Sequence, residues 1–131
     1  MAIKTDRQKE LLQKGICEFN ATEYFDCHET LEELWKDYTD PDREAIQGII
    51  QIAVGYYHLR RGNQAGTLKL FERGGARVER YAPVWQGLDL SAVLQEVKHL
   101  REILQGPDAS KLVLDNIRFP VIRDIQASND C

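Results

Sequence analysis

Apolar residues recur along this chain with the period of a helix. Leu12, Ile16 and Phe19 share one side of a first helix opened by Thr5, whose Thr5-x-x-Gln8 spacing is a capping-box pattern. Asn20 fits the cap of a second helix, with Glu23 at its third position, and this helix is expected to reach about Tyr38. Thr39-Asp40-Pro41 is the sharpest break: Asp40 suits an N-cap, and Pro41 suits the first helical position, where a missing N–H costs nothing. The third helix then runs from Pro41 to Arg61 and stops at Gly62. Its apolar residues, among them Ile46, Ile49, Ile52, Val54 and Tyr56, cover most of the circumference, which marks a central helix.

Asn63 suits the cap of a fourth helix over 64–80, in which Gly74-Gly75 demands a packing reason or a bend. A fifth helix begins at Asp89 and carries Leu90, Val93, Leu94, Val97 and Leu100 before Gly106-Pro107. From about 107 the pattern is irregular. Val121, Ile122 and Ile125 are expected to pack down, the last few residues to fray, and no stretch reads as a strand. The fold class that follows is all-α: a compact single-domain bundle of about five helices over residues 1–131. Helices two and three form its central antiparallel hairpin, because their link is only two or three residues long.

The second helix carries the candidate chemistry. With His28 as origin, Tyr24, Phe25, Leu31, Glu32 and Trp35 fall within about 60° of it, while Asp26, Glu29, Glu33 and Asp37 fall on the far side. His28 and Glu32 are therefore expected on the apolar face, where ionisable groups need partners. In an antiparallel hairpin His28 lies across from Gln51, Glu32 from Gln47 and Trp35 from Glu44. Gly48 and Gly55 on the same face would let the two helices approach closely. Gln47, Gln51 and His58 share that face within about 40°. The pairing reads either as a polar seam that fixes register or as a pocket between the helices, in which His28, Glu32, Gln47 and Gln51 hold a small ligand or a cation.

His28 and Glu32, at i and i+4, can chelate a divalent metal, but a third ligand is needed. His58 stands seven residues beyond Gln51, about 10 Å along the axis, so no cofactor is expected. Cys27 reads as a small core residue, and no Gly-rich phosphate loop or Ser/His/Asp arrangement is present, so the pattern names no reaction.

Composition adds limits. Hydrophobic residues make up 43% and charged residues 29%, and the net charge of −4 argues against general nucleic-acid binding. Three cysteines without a CxxC are expected as reduced thiols in a cytoplasmic protein, with no apolar run of membrane-spanning length. Residues 18–44 are strongly acidic and residues 60–80 basic, which suits attraction within a monomer or across a homodimer.

His28-x3-Glu32-x2-Trp35, followed by Gln47-Gly48-x2-Gln51-x-Ala53-x4-His58, resembles the family called domain of unknown function 309. The resemblance implies a small helical fold and a shared site. His28, Glu32 and Trp35 would be its signature positions, and Gln47, Gln51 and His58 would belong to a second motif. It implies no activity. Val54-Gly55-Tyr56-Tyr57, Gly62-Asn63, Leu68 and Phe71 also resemble part of one tetratricopeptide repeat. The alternative function is accordingly an interaction module that takes a protein partner, with the stripe Lys69, Arg73, Arg77 and Arg80 favouring an acidic one.

Overall fold

A computed structural model describes residues 5–126. Five helices follow in chain order: α1 Asp6–Asn20, α2 Tyr24–Asp37, α3 Arg43–Arg60, α4 Gln64–Glu79 and α5 Ser91–Gln105. Each packs on its neighbours in sequence. The all-α expectation holds, and so does the α2–α3 hairpin.

The caps show why the helices start where they do. Thr5 Oγ1 accepts from the Gln8 N–H at 3.0 Å, and Asn63 Oδ1 accepts from the Gly66 N–H at 2.9 Å, as the sequence indicates. Gln8 does not complete the box; its side-chain amide donates to Asp37 instead. Asn20 caps nothing. Its amide receives the Ile122 N–H at 2.7 Å and donates to the Ile122 carbonyl at 2.9 Å, so it binds a distant backbone as a β-partner would. Asp40 is likewise not the cap of α3, which starts after Asp42.

The buried stripe of α2 is Tyr24, Cys27, Leu31 and Leu34, continued by Tyr38. Its spacing of three and four residues is helical, but its centre is displaced from His28. An origin at His28 turned the face toward Phe25, which is 51% exposed, and away from Cys27, which is fully buried. Cys27 is a free thiol raised far above its usual pKa, by burial first and the Glu18 charge second; it is inert at neutral pH. Cys17 is half-buried near the end of α1. Cys131 lies outside the described residues.

Around α3 the core is aromatic. Tyr24 and Tyr56 stack at 5.2 Å, Phe19 meets both edge-on, Phe71 meets Tyr56 edge-on, and Phe119 from the C-terminal segment packs on both tyrosines. The expected close approach of α2 to α3 at Gly48 and Gly55 is instead an approach of α4. A Cβ at Gly48 would lie 2.7 Å from Val78, and one at Gly55 would lie 2.6 Å from the Phe71 ring. Gly74 answers from the other side: its Cβ would sit 2.8 Å from the Gly48 carbonyl oxygen. The Gly74-Gly75 pair thus has its packing reason, and α4 runs through it as one helix.

Three two-residue strands were not expected: β1 Val84–Trp85, β2 Leu88–Asp89 and β3 Arg123–Asp124, antiparallel in the order β1-β2-β3. Gln86 and Gly87, both at positive φ, make the tight turn between the first two. Strands this short carry no alternation to read. In the tail Ile122 alone of the three expected residues is buried; Val121 and Ile125 are exposed. The residues expected to fray extend beyond 126 and lie outside the described residues. No helix among the described residues is long and apolar enough to cross a membrane.

The two adjacent glycines of α4 should respond oppositely to alanine. At Gly74 the added methyl meets backbone, so Gly74→Ala should cost about 1–3 kcal/mol. At Gly75 its nearest neighbour is Val97 at an ordinary 3.5 Å, so Gly75→Ala should add up to about 1 kcal/mol. Urea denaturation of both variants checks this; a Gly74→Ala protein as stable as the parent would contradict the close contact.

Candidate functional site

His28 and Glu32 do meet, one turn apart on α2. His28 Nε2 stands 3.2 Å from Glu32 Oε2, with side chains 26% and 46% exposed. The pair is therefore on the flank of α2 and in contact with water, not on the buried face. The Phe25 ring lies 5.6 Å from the His28 ring and 5.7 Å from Tyr57 of α3, and the Arg61 guanidinium sits over Tyr57 at 5.3 Å. His28 Nδ1 faces inward, buried, with no hydrogen-bond partner. The result is an open polar and aromatic face across α2 and the C-terminal half of α3.

The other expected members do not join it. Gln51 turns to α4, where its Oε1 accepts from Arg77 Nη1 at 3.0 Å. Arg77 Nε also reaches Glu44 at 3.2 Å, so this member of the basic stripe ties α3 to α4. Gln47 is half-buried and makes no hydrogen bond to His28 or Glu32. His58 stands at the far end of α3 with its Nδ1 3.5 Å from the Asn63 amide. α2 and α3 run antiparallel, with Phe25 against Tyr57 at one end and Trp35 against Arg43 at the other, but the side chains of α3 divide between two neighbours. Gly48, Gly55 and Gln51 belong to the α4 side, which drew α4 against the face assigned to α2. Among the described residues no group of three His, Cys, Asp or Glu is placed to hold a metal ion.

Trp35 has a separate task. The Arg43 guanidinium lies 3.7 Å from its ring centroid, while Nη2 donates to the Trp35 carbonyl at 2.7 Å and Nε to the Tyr38 carbonyl at 3.0 Å. Arg43 thereby satisfies carbonyls at the end of α2, which have no intrahelical partner, and stacks on an indole. Asp42 completes the junction. Its carboxylate accepts from the Tyr38 hydroxyl at 2.7 Å, the Trp85 indole N–H at 2.8 Å and the Gln86 amide at 3.3 Å. Burial alone would raise this carboxyl, but the three donors outweigh it and hold it below its ordinary value of 3.8. The same donation, with burial as the larger cause, pushes the Tyr38 hydroxyl up.

Asp42 and Arg43 were missed because Asp40-Pro41 explained the break without them. Their signal was a second charged pair at the start of a helix whose other residues are largely apolar.

At this point the motif has a geometry. The sequence profile of the family Domain of unknown function (DUF309) matches residues 12–70, which take in α1 from Leu12 onward, α2, α3 and the first half of α4. Over that stretch the chain matches the family's pattern. It is similar to the uncharacterised protein YpuF of Bacillus subtilis (strain 168), 36% identical over 105 residues that cover 76% of this chain and 59% of YpuF. An uncharacterised protein of Aquifex aeolicus (strain VF5) is 24% identical over 106 residues, covering 78% of this chain and 32% of that protein. The chain thus spans less than two thirds of either relative. Within the DUF309 stretch lie both the His28–Glu32 pair and the Trp35–Arg43 junction, so the His-x3-Glu-x2-Trp motif carries two separate structures, with His28 and Trp35 about 10 Å apart along α2.

Asp42 makes a pH prediction with a definite sign. A carboxyl held low in the folded state stabilises fully above its ordinary value of 3.8 and loses that contribution as pH falls through its lower folded value. Asp42→Asn presents an N–H to one of the donors and should cost about 1–3 kcal/mol at neutral pH. It should also flatten the loss of stability below about pH 4. Denaturation curves for the two proteins at neutral and acidic pH give both quantities. Equal stability at neutral pH would show that the three contacts carry no weight.

Proposed function

We propose that this protein is a binding module whose open α2–α3 face takes a basic, amphipathic segment of a partner protein. The observation that carries the reading is Phe25, a large aromatic side chain left 51% exposed with its ring against His28 and Tyr57. Aromatic residues and arginine are enriched in interface centres, and Phe25, Tyr57 and Arg61 supply both. The sign of the partner follows from the surrounding charge. Glu23, Asp26 and Glu29 are exposed, and none forms an ion pair among the described residues. An acidic rim around an apolar centre favours a partner with lysine or arginine beside its apolar residues. The basic stripe on α4 is the weaker surface, because Arg77 is already committed to Glu44 and Gln51.

A second reading keeps a small ligand or cation at His28 and Glu32. The buried, unpartnered His28 Nδ1 favours it, and the lack of a third ligand among the described residues counts against a metal.

Peptides selected on the immobilised protein from a random phage library should combine lysine or arginine with apolar residues. They should lose at least about tenfold in affinity for a Phe25→Ser variant, as removal of an interface anchor does. Because Phe25 is half in water, that variant should remain as stable as the parent to within about 0.5 kcal/mol. Selected peptides that bind Phe25→Ser as tightly as the parent would refute the reading.

A further inference from the structure

Between α5 and the C-terminal segment lies a cleft of about 550 Å³, within the range of small-molecule sites. One wall is a single face of α5, from Ala92 through Glu96 to His99; the other is the segment from Arg118 to Arg123. Both walls are fixed. The segment is tied by Asn20 at Ile122, by pairing with β2 at Arg123 and Asp124, and by the packing of Phe119 on Tyr24 and Tyr56. The opening is therefore built into the fold.

Its charges are opposite and do not meet. Arg118, Arg123 and His99 bring positive or protonatable groups to the cleft, and Glu96 brings a carboxylate. None of the four has an ion-pair partner among the described residues. Asp89, the other acid of the lining, is already used: its Oδ1 accepts the Ser91 N–H at 2.9 Å. Guanidinium groups without an acidic partner offer forked donors that match a carboxylate. Between them, Phe119, Pro120 and Ala92 supply apolar surface. Opposite charges that line one cleft without contact suit a ligand that carries the complementary pair.

We infer that this cleft binds a small amphoteric molecule of the amino-acid class, its carboxylate held by Arg118 and Arg123, its ammonium by Glu96, and its apolar body against Phe119 and Pro120. The site is separate from the α2–α3 face and stands whether or not that face binds a peptide.

The probes are L-phenylalanine and 3-phenylpropionate, which has the same body and carboxylate but lacks the amino group, each titrated against ¹⁵N-labelled protein. L-phenylalanine should give saturable shifts at the amides of Ala92, Gln95 and Phe119, with an affinity about tenfold above that of phenylpropionate. Arg118→Gln with Arg123→Gln should weaken both probes by about tenfold or more. Glu96→Gln should abolish the preference for L-phenylalanine and leave phenylpropionate unchanged. The variants alter unpaired cleft charges, so spectra matching the parent away from the cleft confirm that they fold. The inference is overturned if neither probe saturates, if the double arginine variant binds as the parent does, or if Glu96→Gln keeps the preference.

Discussion

Where Gly48 meets Gly74, the backbones of α3 and α4 touch with no side chain between them. Everything else in the bundle is arranged around that contact. It draws α4 onto the side of α3 that carries Gln51, which leaves Arg77 able to reach both Gln51 and Glu44. It also brings Phe71 against Gly55 and onto the Tyr56 ring, so the aromatic core closes on this side. Glycine within a helix is unfavourable by about 1 kcal/mol relative to alanine. Here the loss is offset by apolar burial along α3, whose Ile46, Ile49, Ile52, Ala53 and Tyr56 are almost wholly removed from water.

The two ends of α3 act on α2 through arginines. Arg43, its first residue, holds the Trp35 and Tyr38 carbonyls. Arg60, its last, donates to the Thr22 carbonyl at 2.6 Å and hydroxyl at 2.8 Å. Thr22 has a positive φ of 61°, an unfavourable backbone for a β-branched residue, and Arg60 secures the turn in which it sits. The helix with the exposed His28–Glu32 pair is thus fastened at both termini while its outer flank stays open. A rigid element with a free face is what preorganised recognition requires.

The helices were legible in the sequence because their apolar periods are long and their breaks, Asp40-Pro41, Gly62 and Gly106-Pro107, are strong. The rotation of α2 was less so. Tyr24, Cys27, Leu31 and Leu34 state the buried stripe, but a small thiol is a weak marker, and centring the face on His28 brought Phe25 in and left Cys27 at its edge. Neighbour choice around α3 was not legible at all. A helix apolar nearly all round has no preferred direction in its own pattern, so Gly48 and Gln51 could be assigned to either partner. The small sheet and the α5 cleft depend on contacts between residues far apart in sequence, such as Leu88 with Asp124, which no local pattern encodes.

The grip of Asn20 on Ile122 joins residues 102 positions apart. Chain closure over that span carries an entropic cost that the contacts at its two ends must offset. The segment around Phe119 thereby closes back onto α1. Its amides should exchange with solvent in step with the last turn of α1, making first and final segments one cooperative unit despite their distance along the chain.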